Sequence, residues 1–311
     1  MTDIAKFASL HNHSMYSDGT FQIKELIDKA HEKNIDLQNK RKMMIKGFAI
    51  VDHDFYPSES IIKEEREYAS QYDIELIFGT EISADSANVH IVGYELDPTC
   101  YSIYHYMLKE QFKRVEAFED TCRRLNRLFE KEGLSIDLYR DIGPSALKKD
   151  KYGRVIEHGP LRWHYLRQAM VERGMAKDRR DADILIGPGG PCYHQRETID
   201  SITALDLIKD CGGIAVIAHP HQIPENFRWR VISSLIEAGI DGIEAYHKSY
   251  FEPENENIYV KLAKENNLMV LSATDTHDNI EDIERFLVPY KIFESIRSAG
   301  YSLYRADKVV N

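Results

Sequence analysis

Cysteine is scarce in this chain. There are four in 311 residues, and none forms a CxxC pair. That speaks against a zinc ribbon and against a disulfide framework, so Cys100, Cys122, Cys192 and Cys211 are expected to be reduced structural thiols. Long apolar runs are missing too, and no stretch reads as a membrane span. The opening MTDIAKFAS lacks the basic-then-apolar layout of a secretory leader, which makes the cytoplasm the expected compartment. Positive charge is in deficit: 40 Lys and Arg face 51 Asp and Glu, a net charge of -11. Such a surface is not built to coat duplex nucleic acid, although a local basic pocket is compatible with it. Part of the acidity is also of the kind that bound cations would offset. Internal repeats and low-complexity segments are absent.

What remains is an ordinary globular composition, 43% hydrophobic and 29% charged, arranged in three blocks. Residues 1–98 alternate apolar strands with helical stretches. FASLHNHS, GFAIVDHD, IELIFGTEIS and NVHIVGYEL read as strands, while Ile23, Leu26, Ile27 and Ala30 carry helical spacing. The basic stretch LQNKRKMMIK, 37–46, is expected to be an exposed extension between the first helix and the second strand. Residues 99–198 begin with a long charged helix, show few strand signals, and read as a small, mainly helical insertion. Residues 199–311 return to alternation, with strands in GIAVIAHPH, IDGIEAYH and LMVLSATDTH. Strand–helix–strand alternation favours a parallel α/β sheet or barrel.

The chain has thirteen histidines, and several fall where strands end. His11 and His13 follow the first strand, with Asp18 in the next turn. His53 closes the second strand, Glu81 stands in GTEIS, and His219 follows GIAVIA. Asp275 and His277 follow LMVLSA, and His90 lies inside VHIVG. Active sites of α/β sheets and barrels gather at the carboxyl ends of strands. Six histidines and three carboxylates converging there make a metal site. Imidazole and carboxylate suit manganese, iron or zinc. Nine donors exceed one tetrahedral ion and fit two or three divalent ions sharing a carboxylate and a water. Asp52 and Asp54 flank His53, either as residues that orient ligands or as simple turn residues.

LHNHSMYSDG, VDHD, GTEIS with VHIVGYEL, GGIAVIAHP and SATDTH together resemble the PHP (polymerase and histidinol phosphatase) superfamily. The resemblance covers the first and third blocks. It implies a distorted (β/α)7 barrel with a di- or trinuclear metal centre for phosphoester hydrolysis. The implied ligands are His11, His13, Asp18, His53, Glu81, His90, His219, Asp275 and His277. Val51 stands where members often carry Thr. Across 161–197 the insertion resembles that of PHP enzymes acting on nucleotides, with Trp163 in place of the usual Pro and Gln195 before Arg196. Other PHP enzymes with such insertions open cyclic sugar phosphates.

The expected activity is therefore hydrolysis of a phosphate monoester of a small nucleotide, such as a 3',5'-bisphosphate, or of a short single-stranded RNA 5' end. A hydroxide bridging the ions would be the nucleophile. Asp275, His53 and Glu81 are the candidate catalytic residues, with Asp275 or a histidine as proton donor. Arg162 and Arg196 are candidates to clamp a second phosphate, with His164 beside them. A sugar-phosphate phosphatase or cyclic-phosphate hydrolase is the alternative chemistry. A non-catalytic PHP module is the alternative of another class, weakened because all nine donor positions are filled.

Overall fold

A computed structural model describes residues 4–85, 89–149, 155–158, 161–195, 197–281 and 283–300. The chain begins β1 (Ala5–Ser9), α1 (Ile23–Arg41), β2 (Met43–His53), α2 (Glu59–Ser70), β3 (Glu75–Ala84), β4 (Val89–Tyr94) and α3 (Tyr101–Leu128). It continues with β5 (Leu147–Lys149), β6 (Val155–His158), α4 (Trp163–Glu172) and α5 (Arg179–Ile186). It then runs α6 (Ser201–Asp210), β7 (Ile214–Ile217), α7 (Glu225–Glu237), β8 (Gly242–His247), α8 (Ile258–Glu265), β9 (Met269–Ala273), β10 (Val288–Pro289) and α9 (Tyr290–Ala299).

Two compact units result, Met1–Met107 with Thr198–Asn311, and Leu108–Glu197. In the first, one sheet has the order β10-β1-β2-β3-β4-β7-β8-β9. β1, β2 and β3 are mutually parallel, and so are β7, β8 and β9, while β4 runs antiparallel to both its neighbours. The two ends of the sheet meet where His13 N–H donates to Thr276 O at 2.9 Å and Thr276 N–H to His11 O at 3.3 Å. Seven strands thus form the wall of a nearly closed mixed barrel, and the two-residue β10 pairs with Phe7 and Ala8 of β1.

Period-2 alternation divides the strand side chains between two cores. Ala49, Val51, Ile77, Val92, Tyr94, Val216 and Leu271 fill the barrel interior. Phe48, Ile50, Phe78, Ile91, Ile217 and Ile243 face the surrounding helices. Each fully buried large side chain of this kind contributes roughly 1.5–3 kcal/mol. Gly79 is a packing necessity, because a Cβ there would stand 2.4 Å from Gly93 O.

The stretch 37–46 is not an exposed extension. Buried Ile27, Ala30, Asn34 and Leu37 continue the helical repeat, so α1 runs to Arg41 and stops at Lys42, whose φ is 51°. β2 begins at the next residue, and Asn34 ties helix to strand by bonding Ile45 N–H at 2.6 Å and Ile45 O at 2.9 Å. The cysteine expectation also needs correction. Cys100 and Cys211 form a disulfide between the loop before α3 and the end of α6; Cys122 and Cys192 are free and buried. The pair is 111 residues apart, a proximity that only the fold creates. Changing both Cys100 and Cys211 to Ser is expected to lower stability by about 2–4 kcal/mol in urea denaturation under oxidising conditions. Adding reductant should remove most of that difference.

The second unit has its own core of Phe118, Cys122, Leu125, Leu138, Leu166 and Met170 among others. It is mainly helical, with the β5–β6 hairpin added. The division falls at 107/108, not 98/99, because Ile103, Tyr106 and Met107 of α3 pack into the barrel unit's outer core. Among the described residues no helix is long and apolar enough to cross a membrane.

Candidate metal centre

The interior face of the barrel continues into the site. Ala49 and Val51 lead at the same parity to His53, Ile77 and Gly79 to Glu81, and Leu271 to Asp275. His90 lies near the start of its strand for a geometric reason. β4 is reversed, so its first residues share an end of the barrel with the last residues of the parallel strands; Ser83 pairs with His90.

The residues around His11 and His13 are fixed by their neighbours. Asn12, between them, donates to Ala49 O at 2.9 Å and accepts through its carbonyl oxygen from Val51 N–H at 3.0 Å. Asp52 accepts from Ser14 N–H at 2.8 Å, Ser14 Oγ at 2.6 Å and Ser17 Oγ at 2.5 Å, which holds the turn that carries Asp18. Gly19 closes this turn where a Cβ would collide with His13 O at 2.1 Å. Asp54 serves β3 and α3 instead: it accepts from Ser83 N–H at 3.0 Å and from Tyr106 OH at 2.7 Å.

All nine expected donors come together. They form four overlapping groups whose ligand atoms lie within 4.8 Å of one another: His13, Asp18, His53 and His277; His11, His13 and Asp275; His11, Glu81 and His219; His53, Glu81 and His90. Glu81 is central and fully buried. Its Oε2 lies 3.1 Å from His11 Nε2, 3.2 Å from His13 Nε2 and 3.4 Å from His53 Nε2. Its Oε1 lies 2.9 Å from His90 Nδ1 and 2.8 Å from His219 Nε2.

The electrostatics suit divalent cations. Burial opposes the Glu81 charge, but His53, His11 and His90 outweigh it and hold the carboxyl well below its ordinary range. Asp275 is likewise held down against burial, by His13 and His247, which fits an ionised ligand better than a proton donor. Desolvation also opposes the Asp18 charge, and His53 and His277 overcome it. Burial lowers His13, yet Asp275 and Glu81 raise it to about 10, and the same acids that favour a proton there favour a divalent ion. Burial wins at His53, which is pushed down to about 4. Its Nδ1 is buried with no hydrogen-bond partner among the described residues. His11 Nε2 and His13 Nε2 stand only 3.0 Å apart beside one carboxylate oxygen. Nitrogens and carboxylate oxygens crowded this way, with an orphaned imidazole nitrogen, are the donor chemistry of divalent metal sites.

Two further residues join the cluster that strand-end reading missed. Glu244, 1% exposed in β8, lies 2.7 Å from His11 Nδ1 and accepts from His219 N–H at 2.8 Å. A carboxylate inside the apolar IDGIEAYH was its only sequence signal. His247, the last residue of β8, lies 3.3 Å from Asp275 Oδ2 and carried the same strand-end signal as the others. The phosphate-clamp candidates belong to the second unit. Arg162 is buried with its guanidinium 5.6 Å from the Tyr165 ring centre, and His164 packs at 4.1 Å on the same ring. Arg196 lies outside the described residues.

A solved structure from Bifidobacterium adolescentis, described as a metal-dependent phosphoesterase, superposes with a TM-score of 0.74 at 20% identity, covering 96% of this chain and 98% of that one. The chain shares the fold of that structure. No family model matches it. Curated relatives nevertheless span most of the chain. A 5'-3' exoribonuclease of Haemophilus influenzae is 26% identical over 278 residues, 88% of this chain and 91% of its own length. A 3',5'-nucleoside bisphosphate phosphatase of Chromobacterium violaceum is 26% identical over 273 residues, 86% of each chain. A phosphoribosyl 1,2-cyclic phosphate 1,2-diphosphodiesterase of Eggerthella lenta is 22% identical over 276 residues, 86% of this chain and 93% of its own.

Proposed function

We propose that the chain is a metal-dependent phosphoesterase that hydrolyses a phosphate monoester of a small nucleotide, such as a 3',5'-bisphosphate, or of a short RNA 5' end. The observation that carries this reading is the set of nine donors in four overlapping groups, with Glu81 shared by two of them. Two or three divalent ions, with manganese favoured over iron or zinc, would be held by His11, His13, Asp18, His53, Glu81, His90, His219, Asp275 and His277. Bound ions supply Lewis-acid polarisation of phosphoryl oxygens and activation of a water.

The chain's own residues set the conditions. Glu81 directs each of its oxygens at a different group of imidazoles. The Glu244 contact favours the His11 tautomer with its proton on Nδ1, which leaves Nε2 as a donor. Buried walls around Glu81, His11 and His13 exclude water, so charges there act in a low dielectric. Arg162, His164 and Arg196 are the proposed contacts for a second phosphate; the likeness of 161–197 to nucleotide-acting PHP insertions supports them.

The activities printed for the Haemophilus and Chromobacterium relatives favour nucleotide or RNA substrates, and the Eggerthella relative supports a cyclic sugar phosphate as the competing reading. Phosphate release by manganese-loaded protein separates them. Adenosine 3',5'-bisphosphate is expected to be cleaved at least about tenfold more efficiently than 5'-AMP, 3'-AMP, histidinol phosphate or a cyclic ribose phosphate, a difference of about 1.4 kcal/mol in transition-state binding. Preference for the cyclic ester would replace the substrate assignment and keep the metal chemistry.

A further inference from the structure

The hairpin that follows β8 brings a cation to the edge of the donor cluster. His247 and Tyr250 exchange backbone hydrogen bonds, each 2.9 Å, which makes a tight turn with Lys248 and Ser249 at its tip. The turn is fastened from inside. Ser249 N–H donates to His247 Nδ1 at 3.1 Å, so that nitrogen is an acceptor and Nε2 carries the proton toward Asp275 Oδ2, 3.3 Å away. Ser249 Oγ also lies 2.8 Å from His221 Nε2, which ties the tip to the segment after His219.

Lys248 reaches from this tip back to Asp275. Its ammonium donates to the Asp275 carbonyl oxygen and stands 3.6 Å from Asp275 Oδ2. The other oxygen of that carboxylate, Oδ1, faces His13 Nε2 at 3.2 Å and His277 Nδ1 at 3.4 Å. The ammonium is therefore one carboxylate away from the donor atoms. An ammonium has three N–H donors. One is directed at Asp275 O, the Asp275 carboxylate stands at ion-pair distance, and no other partner of Lys248 is found among the described residues. The side chain is 45% exposed, so the ammonium has access to solvent. Among the described residues Lys248 is the one lysine or arginine that contacts any of the nine donors.

We propose that Lys248 is a phosphate-recognition residue, whose outward N–H binds an oxygen of the phosphoryl group undergoing hydrolysis. This rests on the phosphoesterase reading and adds a residue of the barrel unit to it. A phosphate monoester brings about two negative charges to a site already rich in carboxylates, and a fixed ammonium offsets part of that charge. The hairpin prepares it, because His247, Ser249 and His221 hold the tip before substrate arrives.

The test uses the full chain loaded with manganese, with Lys248→Met and Lys248→Arg variants. Metal content is measured by mass spectrometry and inorganic phosphate binding by calorimetry. Lys248→Met is expected to keep the wild-type metal content and to bind phosphate about tenfold more weakly. Lys248→Arg should recover most of that loss. Unchanged phosphate affinity in Lys248→Met would overturn the assignment. So would a loss of metal matching the loss of phosphate, since Lys248 would then act only by holding Asp275. Failure of the parent reading looks different: wild-type protein that binds phosphate through Lys248 yet hydrolyses no ester.

Discussion

Glu81→Gln is expected to reduce phosphate release by on the order of 10³-fold, with loss of at least one bound ion per chain. The reason is geometric. Both carboxylate oxygens are in use, Oε2 toward His11, His13 and His53 and Oε1 toward His90 and His219. An amide of the same shape keeps one oxygen and turns an NH₂ group toward the other set of imidazoles. It also removes a negative charge from a site whose histidines balance it. Metal content and phosphate release measured on the same preparation check both parts. Wild-type turnover in Glu81→Gln would show that the shared carboxylate plays no part in the chemistry.

Glu244→Gln is the second large effect, and it touches no proposed ligand atom. Glu244 receives the His219 N–H on one oxygen and faces His11 Nδ1 with the other. His219 has a φ of 25°, a conformation that needs external support. A glutamine that still accepts from His219 N–H must present its NH₂ to His11 Nδ1. That forces the His11 proton onto Nε2, the nitrogen aimed at Glu81 and His13. Metal affinity is expected to fall about 10–100-fold, the usual cost of losing a residue that orients a ligand. Competition with a chelator of known affinity measures it, and circular dichroism confirms that the variant is folded. Glu244→Ala should also destabilise the fold by about 1–3 kcal/mol, since it leaves the buried His219 N–H without an acceptor. Metal affinity unchanged in Glu244→Gln would mean that the His11 tautomer is set by another group.

The barrel was legible because period-2 apolar strands and intervening helices wrote their alternation into the sequence. Its nine polar donor residues, most of them at or just after strand ends, stood out against that background, and the fold brings them together. Glu244 was harder to see because it sits inside a strand, and its meaning depends on His11, 233 residues away. His247 carries a readable signal, a histidine closing a strand. The Cys100–Cys211 pairing has no local signature, since neither residue's neighbours encode the other. The basic stretch 37–46 misled through composition. Lys40, Arg41 and Lys42 are exposed at the end of α1 and just after it, while Leu37 and Ile45 carry the buried pattern at wider spacing. Composition described the solvent face, and periodicity described the fold.

The most direct test of the central claim is phosphate release from adenosine 3',5'-bisphosphate by the full chain, stripped with a chelator and then titrated with manganese. The account predicts that the stripped protein is inactive and that activity rises with manganese until more than one ion is bound per chain. Equal rates before and after stripping, with metal demonstrably removed, would contradict it.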